Sequence, residues 1–373
     1  MKNPFNYLQF AEGDQFYDRS EMLADLKSRF LSGQTNVVLY GPRRYGKSSL
    51  VARLAESLEK EGMVCILFDL VKMPTIDIFA DAYATKVYRR LAPLKSGLKQ
   101  ISGFFKGSRP KVSIDQDGEA SFSFDSTERG FAPSDLTEIL DLPQRLAGDR
   151  RILVILDEFQ EVKDLLPNDG FERVMRSVMQ AHRNVSYIFL GSRYHLLRRM
   201  FTDHNRPFYK AALTMLLDKP PFDESVSFVV SRFGDSGMAI PAEAAKKLVA
   251  KIANIPYYIQ QLGFETFRIV DEQGRRSVTS EDVEAAFSRL SGFNRDQYEQ
   301  LMLTLSAMQK KLLLALAKEE TAEFDGQYRS RHSLGASSSV NSAKKKLLED
   351  GHIDLIDGQC RIADPLFAEY LRR

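Results

Sequence analysis

Residues 41–48 read Gly41-Pro42-Arg43-Arg44-Tyr45-Gly46-Lys47-Ser48, followed by Ser49. The spacing G-x-x-x-x-G-K-S is that of a phosphate-binding loop, and it stands where such a loop needs to stand. An apolar run, Val37 to Tyr40, precedes it as a strand, and Ser48 to Glu61 follows as a helix. The chemistry is that of anion capture. A polyphosphate concentrates negative charge, and successive backbone N–H groups at a helix N-terminus neutralise it. Gly41 and Gly46 allow a backbone conformation and a closeness of approach that a Cβ would block. Lys47 is expected between the β- and γ-phosphates, and the Ser48 hydroxyl on Mg²⁺. Residues 41–49 are thus the expected contacts of a nucleoside triphosphate.

A second run carries the metal and the water. Arg151 to Leu156 is basic once and then continuously apolar, as in a fully buried parallel strand, and it ends in Asp157-Glu158. A carboxylate at the C-terminal end of such a strand serves Mg²⁺, directly or through water, so Asp157 is the expected metal residue. Glu158, next to it, is placed to accept the proton of an attacking water.

These groups need a sheet to position them. The expected strands are 36–40, 63–70, 151–156, 186–190 and 211–217, separated by helices such as 20–31 and 76–91. That rhythm predicts an α/β fold with a parallel sheet and helices on both faces. Strand 186–190 is expected beside the phosphate-loop strand. One segment breaks the rhythm. Lys111 to Asp115 and Ala120 to Asp125 alternate apolar and polar residues around an Asp-Gly turn, a hairpin signature, inside an expected surface insertion over 95–130. After Pro220-Pro221 the pattern turns helical, with helices expected at 224–233, 242–253, 257–269 and 280–290. A last unit reads helix 296–318, a polar loop, helix 337–349, then two short strands about Asp357-Gly358. That order is a winged helix-turn-helix. The expected organisation is therefore 1–220, a P-loop domain; 221–292, a helical lid; and 293–373, a winged helix.

Composition narrows the alternatives. The 373 residues carry 43% hydrophobic and 27% charged side chains and a net charge of +2, ordinary for a globular protein with more than one domain. Bulk charge selects neither nucleic acid nor a membrane surface. The longest apolar runs are six residues, against roughly 20 for a membrane-spanning helix. The N-terminus, Met1-Lys2-Asn3-Pro4-Phe5, lacks the apolar core of a signal peptide. Cys65 and Cys360 read as buried thiols of a reducing cytoplasm, where the chain is expected to reside. The five histidines are scattered, so no structural metal site is expected.

The strings GPRRYGKSSL, LDEFQ at 156–160 and GSR at 191–193 resemble the archaeal-type ATPases of the STAND class, within the AAA+-like group of P-loop NTPases. The resemblance spans nearly the whole chain and implies a slow ATPase that acts as a nucleotide-driven switch, with ATP, ADP and Mg²⁺ as its cofactors. Phe16-Tyr17-Asp18-Arg19 resembles the motif that lines the adenine pocket, which implies nucleotide contacts from Phe16, Tyr17 and Arg19; Asp18 stands where the family has glycine. Asn254-Ile255-Pro256 resembles a G-x-P motif of the lid that brings Pro256 towards the nucleotide, with Asn254 in place of glycine. Arg361 to Phe367 is similar to the family's ending. Arg193 becomes the sensor of the γ-phosphate, and a guanidinium at that strand end would stabilise charge on the phosphoryl group. Arg206 is a weaker candidate for a second phosphate contact. Arg43 and Arg44 lie in the loop, where an arginine faces nucleotide, a neighbouring subunit or solvent.

Two functions stay open on these residues. One is a nucleotide-driven conformational switch with an unidentified protein partner or a homo-oligomer as its output. The other is a DNA-associated ATPase that reads duplex DNA with its winged helix. Lys344-Lys345-Lys346 favours the second, yet residues 291–373 hold 12 Lys and Arg against 12 Asp and Glu, without the basic excess of a DNA reader.

Overall fold

The computed structural model describes residues 2–7, 19–92, 105, 110–114, 120–124, 131–356 and 358–373. They form two compact units. One comprises Ser20–Gly41 and Lys47–Leu217; the other contains Pro42–Gly46 and Asp218–Arg373 with the described N-terminal residues.

The first unit is a parallel sheet wrapped in helices. Its elements are α1 (Ser20–Ser32), β1 (Asn36–Tyr40), α2 (Lys47–Glu59), β2 (Val64–Asp69), α3 (Ile76–Leu91), β3 (Lys111–Ile114), β4 (Ala120–Ser123), α4 (Pro133–Leu140), α5 (Leu142–Ala147), β5 (Ile152–Asp157), α6 (Gly170–Ala181), β6 (Val185–Gly191), α7 (Tyr194–Thr202) and β7 (Leu213–Leu216). The sheet order is β2-β5-β6-β1-β7, parallel throughout. Burial follows position. Every residue of β6 is buried, as are Ile152 to Leu156 of β5, whereas the edge strand β7 is largely exposed. Central parallel strands are covered on both faces, which is why they read as unbroken apolar runs. The order also puts β6 between β5 and β1, so the C-terminal ends of the phosphate-loop strand, the Asp-Glu strand and the strand ending at Gly191 lie side by side. Strands β3 and β4 pair antiparallel, Lys111 with Ser123 through Ile114 with Ala120. The hairpin expected there is present, and its turn lies outside the described residues. Phe122 on β4 packs edge-on against Tyr88 of α3, 5.3 Å between ring centroids, which ties the hairpin to the sheet domain's helices.

The second unit runs α8 (Phe222–Asp235), α9 (Ala242–Lys251), α10 (Pro256–Glu272), α11 (Ser280–Phe293), α12 (Arg295–Thr304), α13 (Ala307–Lys318), α14 (Gly326–Arg331), α15 (Ser337–Glu349), β8 (Ile353–Ile356), β9 (Gln359–Ile362) and α16 (Pro365–Arg372). The single helix expected over 296–318 is two. Ser306 is extended (ψ 159°) and its hydroxyl accepts from the Gln309 amide, while the Gln309 side chain accepts from the Ser306 amide. This reciprocal cap starts a new helix and ends the old one. The loop expected before 337 contains α14, started by the Asp325 carboxylate on the Tyr328 amide. Helices α13, α14 and α15 with the antiparallel pair β8-β9 complete a winged helix; Thr321 adds a bridge to Cys360. No helix among the described residues is long and apolar enough to cross a membrane.

Candidate nucleotide site

Within the sheet unit, β1 delivers the chain to Gly41 and α2 begins at Lys47. Gly41 is required by space: a Cβ there would stand 2.4 Å from the carbonyl oxygen of Leu217. Lys47 is only 7% exposed, and its ammonium donates to the Gly41 carbonyl at 2.7 Å. The lysine thus folds back over the loop it closes. Ser48 lies on the first turn of α2, and its hydroxyl donates to Asp157 Oδ2 at 3.2 Å. Hydroxyl and carboxylate, 109 positions apart in the chain, converge where β1 and β5 end. Burial raises the Asp157 pKa, as does the neighbouring Glu158 carboxylate, while Ser48 and Lys47 act the other way. A half-buried carboxylate whose charge is disfavoured by burial gains from a cation, and the hydroxyl beside it offers a second oxygen ligand. The pair therefore fits a magnesium ion carried in on a polyphosphate, an ion that draws few ligands from protein. Among the described residues there is no cluster of three or more His, Cys, Asp or Glu of the kind that cages a metal.

The chain leaves β5 by an abrupt turn. Glu158 is left-handed (φ 54°, ψ 44°), and a 3₁₀ segment, Phe159–Asp164, follows. A left-handed non-glycine residue is unfavourable unless its surroundings fix it. Phe159 supplies one anchor, fully buried with its ring 4.5 Å from that of Phe189 and 5.4 Å from that of Phe208. The carboxylate supplies the other. Glu158 Oε2 accepts from the Ser192 amide (3.1 Å), the Ser192 hydroxyl (2.9 Å) and Gln160 Nε2 (2.5 Å). Gln160 is buried, and a Cβ on Gly191 would stand 2.3 Å from its Oε1. Gly191 at the end of β6 is what lets Gln160 reach Glu158. Neither Ser192 nor Gln160 was expected from sequence as a partner of Glu158, although both lie inside the quoted strings.

The arginines divide. Arg193 follows β6, at the strand end beside β1, with its guanidinium 3.6 Å from Glu161. Arg206 is engaged by two carboxylates of this unit. It is bound to Asp169 (2.9 Å) and to Glu172, a 1%-exposed carboxylate that burial pushes up to about 7. A buried acid is stabilised by a cation, and Arg206 supplies one.

In the second unit, Pro42 and Tyr45 are buried, while Arg43 and Arg44 are exposed residues of the loop. Gly46 has φ 92° and Arg44 φ 69°. Arg44 stacks against Tyr257 and Tyr258 and pairs with Asp364. Pro256 opens α10, and Asn254 before it takes φ 55°. Asparagine tolerates the left-handed region better than most residues with a side chain, and its Nδ2 donates to the Pro220 carbonyl at 2.7 Å. Arg19 donates to the Asp218 carbonyl. Phe16, Tyr17 and Asp18 lie outside the described residues.

The comparisons with known proteins agree with this geometry at the level of domains. Residues 28–200 match the family model described as "AAA domain", and residues 296–373 that described as "Probable winged helix domain". No curated protein matches the chain. Among solved structures, a Walker-type ATPase of Pyrococcus abyssi is similar over 99% of this chain and 100% of its own, at 20% identity and a TM-score of 0.68. The ORC2 protein of Aeropyrum pernix, solved in ADPNP and ADP complexes, is similar over 99% and 95%, at 16% identity and a TM-score of 0.61. The ORC1 protein of the same organism, solved with DNA, is similar over 96% and 93%, at 15% identity and 0.53. Residues 28–200, with the five-stranded parallel sheet, thus match an AAA domain, and residues 296–373 match a winged helix domain.

Proposed function

We propose that the chain is an ATP-binding, Mg²⁺-dependent ATPase of the STAND type that acts as a nucleotide-driven conformational switch. The observation that carries the reading is the convergence of Lys47, Ser48, Asp157 and Glu158 at the C-terminal edge of one sheet, with the Ser48 hydroxyl already bonded to Asp157. Lys47 and the loop amides take the charge of the phosphates, and Ser48 and Asp157 hold the metal, which would screen the oxygens of the transferring group. Glu158 orients and deprotonates water. Arg193, at the end of β6, answers to the γ-phosphate. Phe16, Tyr17, Arg19 and Pro256 serve the base and sugar side, by resemblance. The three-part organisation 1–220, 221–292 and 293–373 supplies the moving parts, and the output is an unidentified protein partner or a homo-oligomer in the cytoplasm. Small-angle scattering and native mass, measured with Mg²⁺-ADP and with a non-hydrolysable ATP analogue, test the switch. Different profiles or masses are expected; identical ones in both states sink it.

The second reading is an ATPase that acts on duplex DNA. The likeness to an ORC1 protein solved with DNA, over 96% of this chain, is the observation that favours it. The charges of α15 weigh against it. Lys345 and Lys346 pair with Glu349 and Asp350 on their own helix turn, and Lys344 lies over the Phe324 ring. Arg331 pairs with Glu319 and Arg361 with Glu320. Cations already matched by carboxylates release few counterions on a phosphate backbone. Filter binding to duplex DNA at 50 and 200 mM salt is therefore expected to show weak retention with little salt dependence. A loss of about a thousandfold between those salts would establish the DNA reading instead.

A further inference from the structure

Arg44 is engaged in a way that phosphate binding does not require. Its Nη1 lies 3.1 Å from Oδ2 of Asp364, 320 positions along the chain. Its guanidinium carbon stands 5.1 Å from the ring centroid of Tyr257 and 4.7 Å from that of Tyr258, and the Tyr257 amide donates to the Arg44 carbonyl at 3.3 Å. The acid is itself fixed. Asp364 Oδ1 accepts from the amides of Leu366 (2.9 Å) and Phe367 (3.2 Å), which starts α16, and the Tyr298 hydroxyl donates to Oδ2 at 3.3 Å. Tyr298 in turn packs on Phe367 and Tyr370, with centroids 5.0 and 5.5 Å away. Arg43 is drawn to the same domain, its guanidinium 3.8 Å from where a side chain on Gly351 would begin.

An exposed ion pair by itself holds little. Here two aromatic faces, a backbone hydrogen bond and a pre-oriented carboxylate act on one residue whose φ of 69° is unfavourable for arginine. We propose that Asp364, with Tyr257 and Tyr258, positions the phosphate loop: the winged helix domain grips Arg44 and so holds residues 42–46 in the shape that receives phosphate. The proposal rests on the reading that this loop binds nucleotide. Arg44 is then a tether and not a phosphate ligand, and the charge of the nucleotide is left to Lys47 and the loop amides. Coupling of this kind is reciprocal. A nucleotide that favours the gripped loop also tightens the hold on Asp364, so the winged helix registers whether the site is filled.

The test is a double-mutant cycle on the full chain, read as the dissociation constant of a fluorescent ADP analogue. Asp364→Asn keeps an oxygen for the Leu366 and Phe367 amides, so α16 still starts, while the charge that holds Arg44 is gone. Asp364→Asn and Arg44→Ala are each expected to weaken binding about tenfold, and the double variant no more than either single one. Hydrogen exchange supplies a readout that a merely structural role would not move: ADP slows exchange at Leu366 and Phe367 in the wild type and not in Arg44→Ala. Unchanged affinity in Asp364→Asn, or losses that add in the double variant, overturns the tether. If the wild type binds no ADP analogue at all, the nucleotide reading itself falls, and the tether with it.

Discussion

Glu158→Gln is expected to lower steady-state phosphate release from ATP by about 100-fold or more, with nucleotide affinity within about twofold of the wild type. The split follows from where the carboxylate sits. It lies one residue beyond Asp157, outside the Ser48–Asp157 pair that would hold the metal. Glutamine has the same length, and its amide oxygen still accepts from the Ser192 amide and hydroxyl, so the left-handed turn keeps its anchor. What is lost is the capacity to take a proton from water. Phosphate release measured beside the affinity for an ADP analogue checks both halves. Unchanged release would mean that the base is another group, and lost affinity would mean that Glu158 holds the turn rather than serving the water. Three donors converge on one oxygen of Glu158, and two of them belong to Ser192, the residue directly before Arg193. A shift of Arg193 towards a γ-phosphate would pull on the same short segment that holds the base.

Much of the fold is legible in the sequence alone, and the reason lies in the range of the interactions. Strands β1, β2, β5 and β6 are apolar runs because parallel strands buried on both faces tolerate little else, and their observed bounds differ from the expected ones by a residue or so at each end. The loop at 41–48 is a local motif, and Gly46 with its φ of 92° answers a local demand, whereas Gly41 makes room for the distant carbonyl of Leu217. The break at Ser306 was also written locally, as Ser306-x-x-Gln309, but a continuous helical periodicity on both sides concealed it. Contacts between distant residues left no such mark. Nothing near Arg206 in sequence shows that Glu172 is buried beside it. Asp364 was legible as part of a familiar ending, yet its reach to Arg44 is made by the fold. The same holds for Gly191, whose lack of a side chain makes room for Gln160 to approach Glu158.

Lys47→Ala is expected to weaken ATP and ADP binding by about 100-fold and to abolish hydrolysis at ordinary nucleotide concentrations, because charge-assisted contacts to phosphate are each worth about 1.5–3 kcal/mol. The geometry separates this from a loss of fold. The Lys47 ammonium reaches the Gly41 carbonyl, six residues away, and so braces the loop even without ligand. Removing it frees the loop more than it disturbs the sheet, whose core of β5 and β6 lies elsewhere. Thermal melting reads both effects in one experiment. A ligand present at 100 times its dissociation constant stabilises the native state by about 2.7 kcal/mol. Mg²⁺-ADP should therefore raise the melting temperature of the wild type by several degrees and leave that of Lys47→Ala where it stands, while the two proteins melt close together without ligand. An equal rise in both proteins would show that the phosphates are held by other groups. A large fall of the ligand-free variant would show instead that the buried ammonium is part of the framework. Only the first pattern is compatible with Lys47 as the residue that meets the charge between the β- and γ-phosphates.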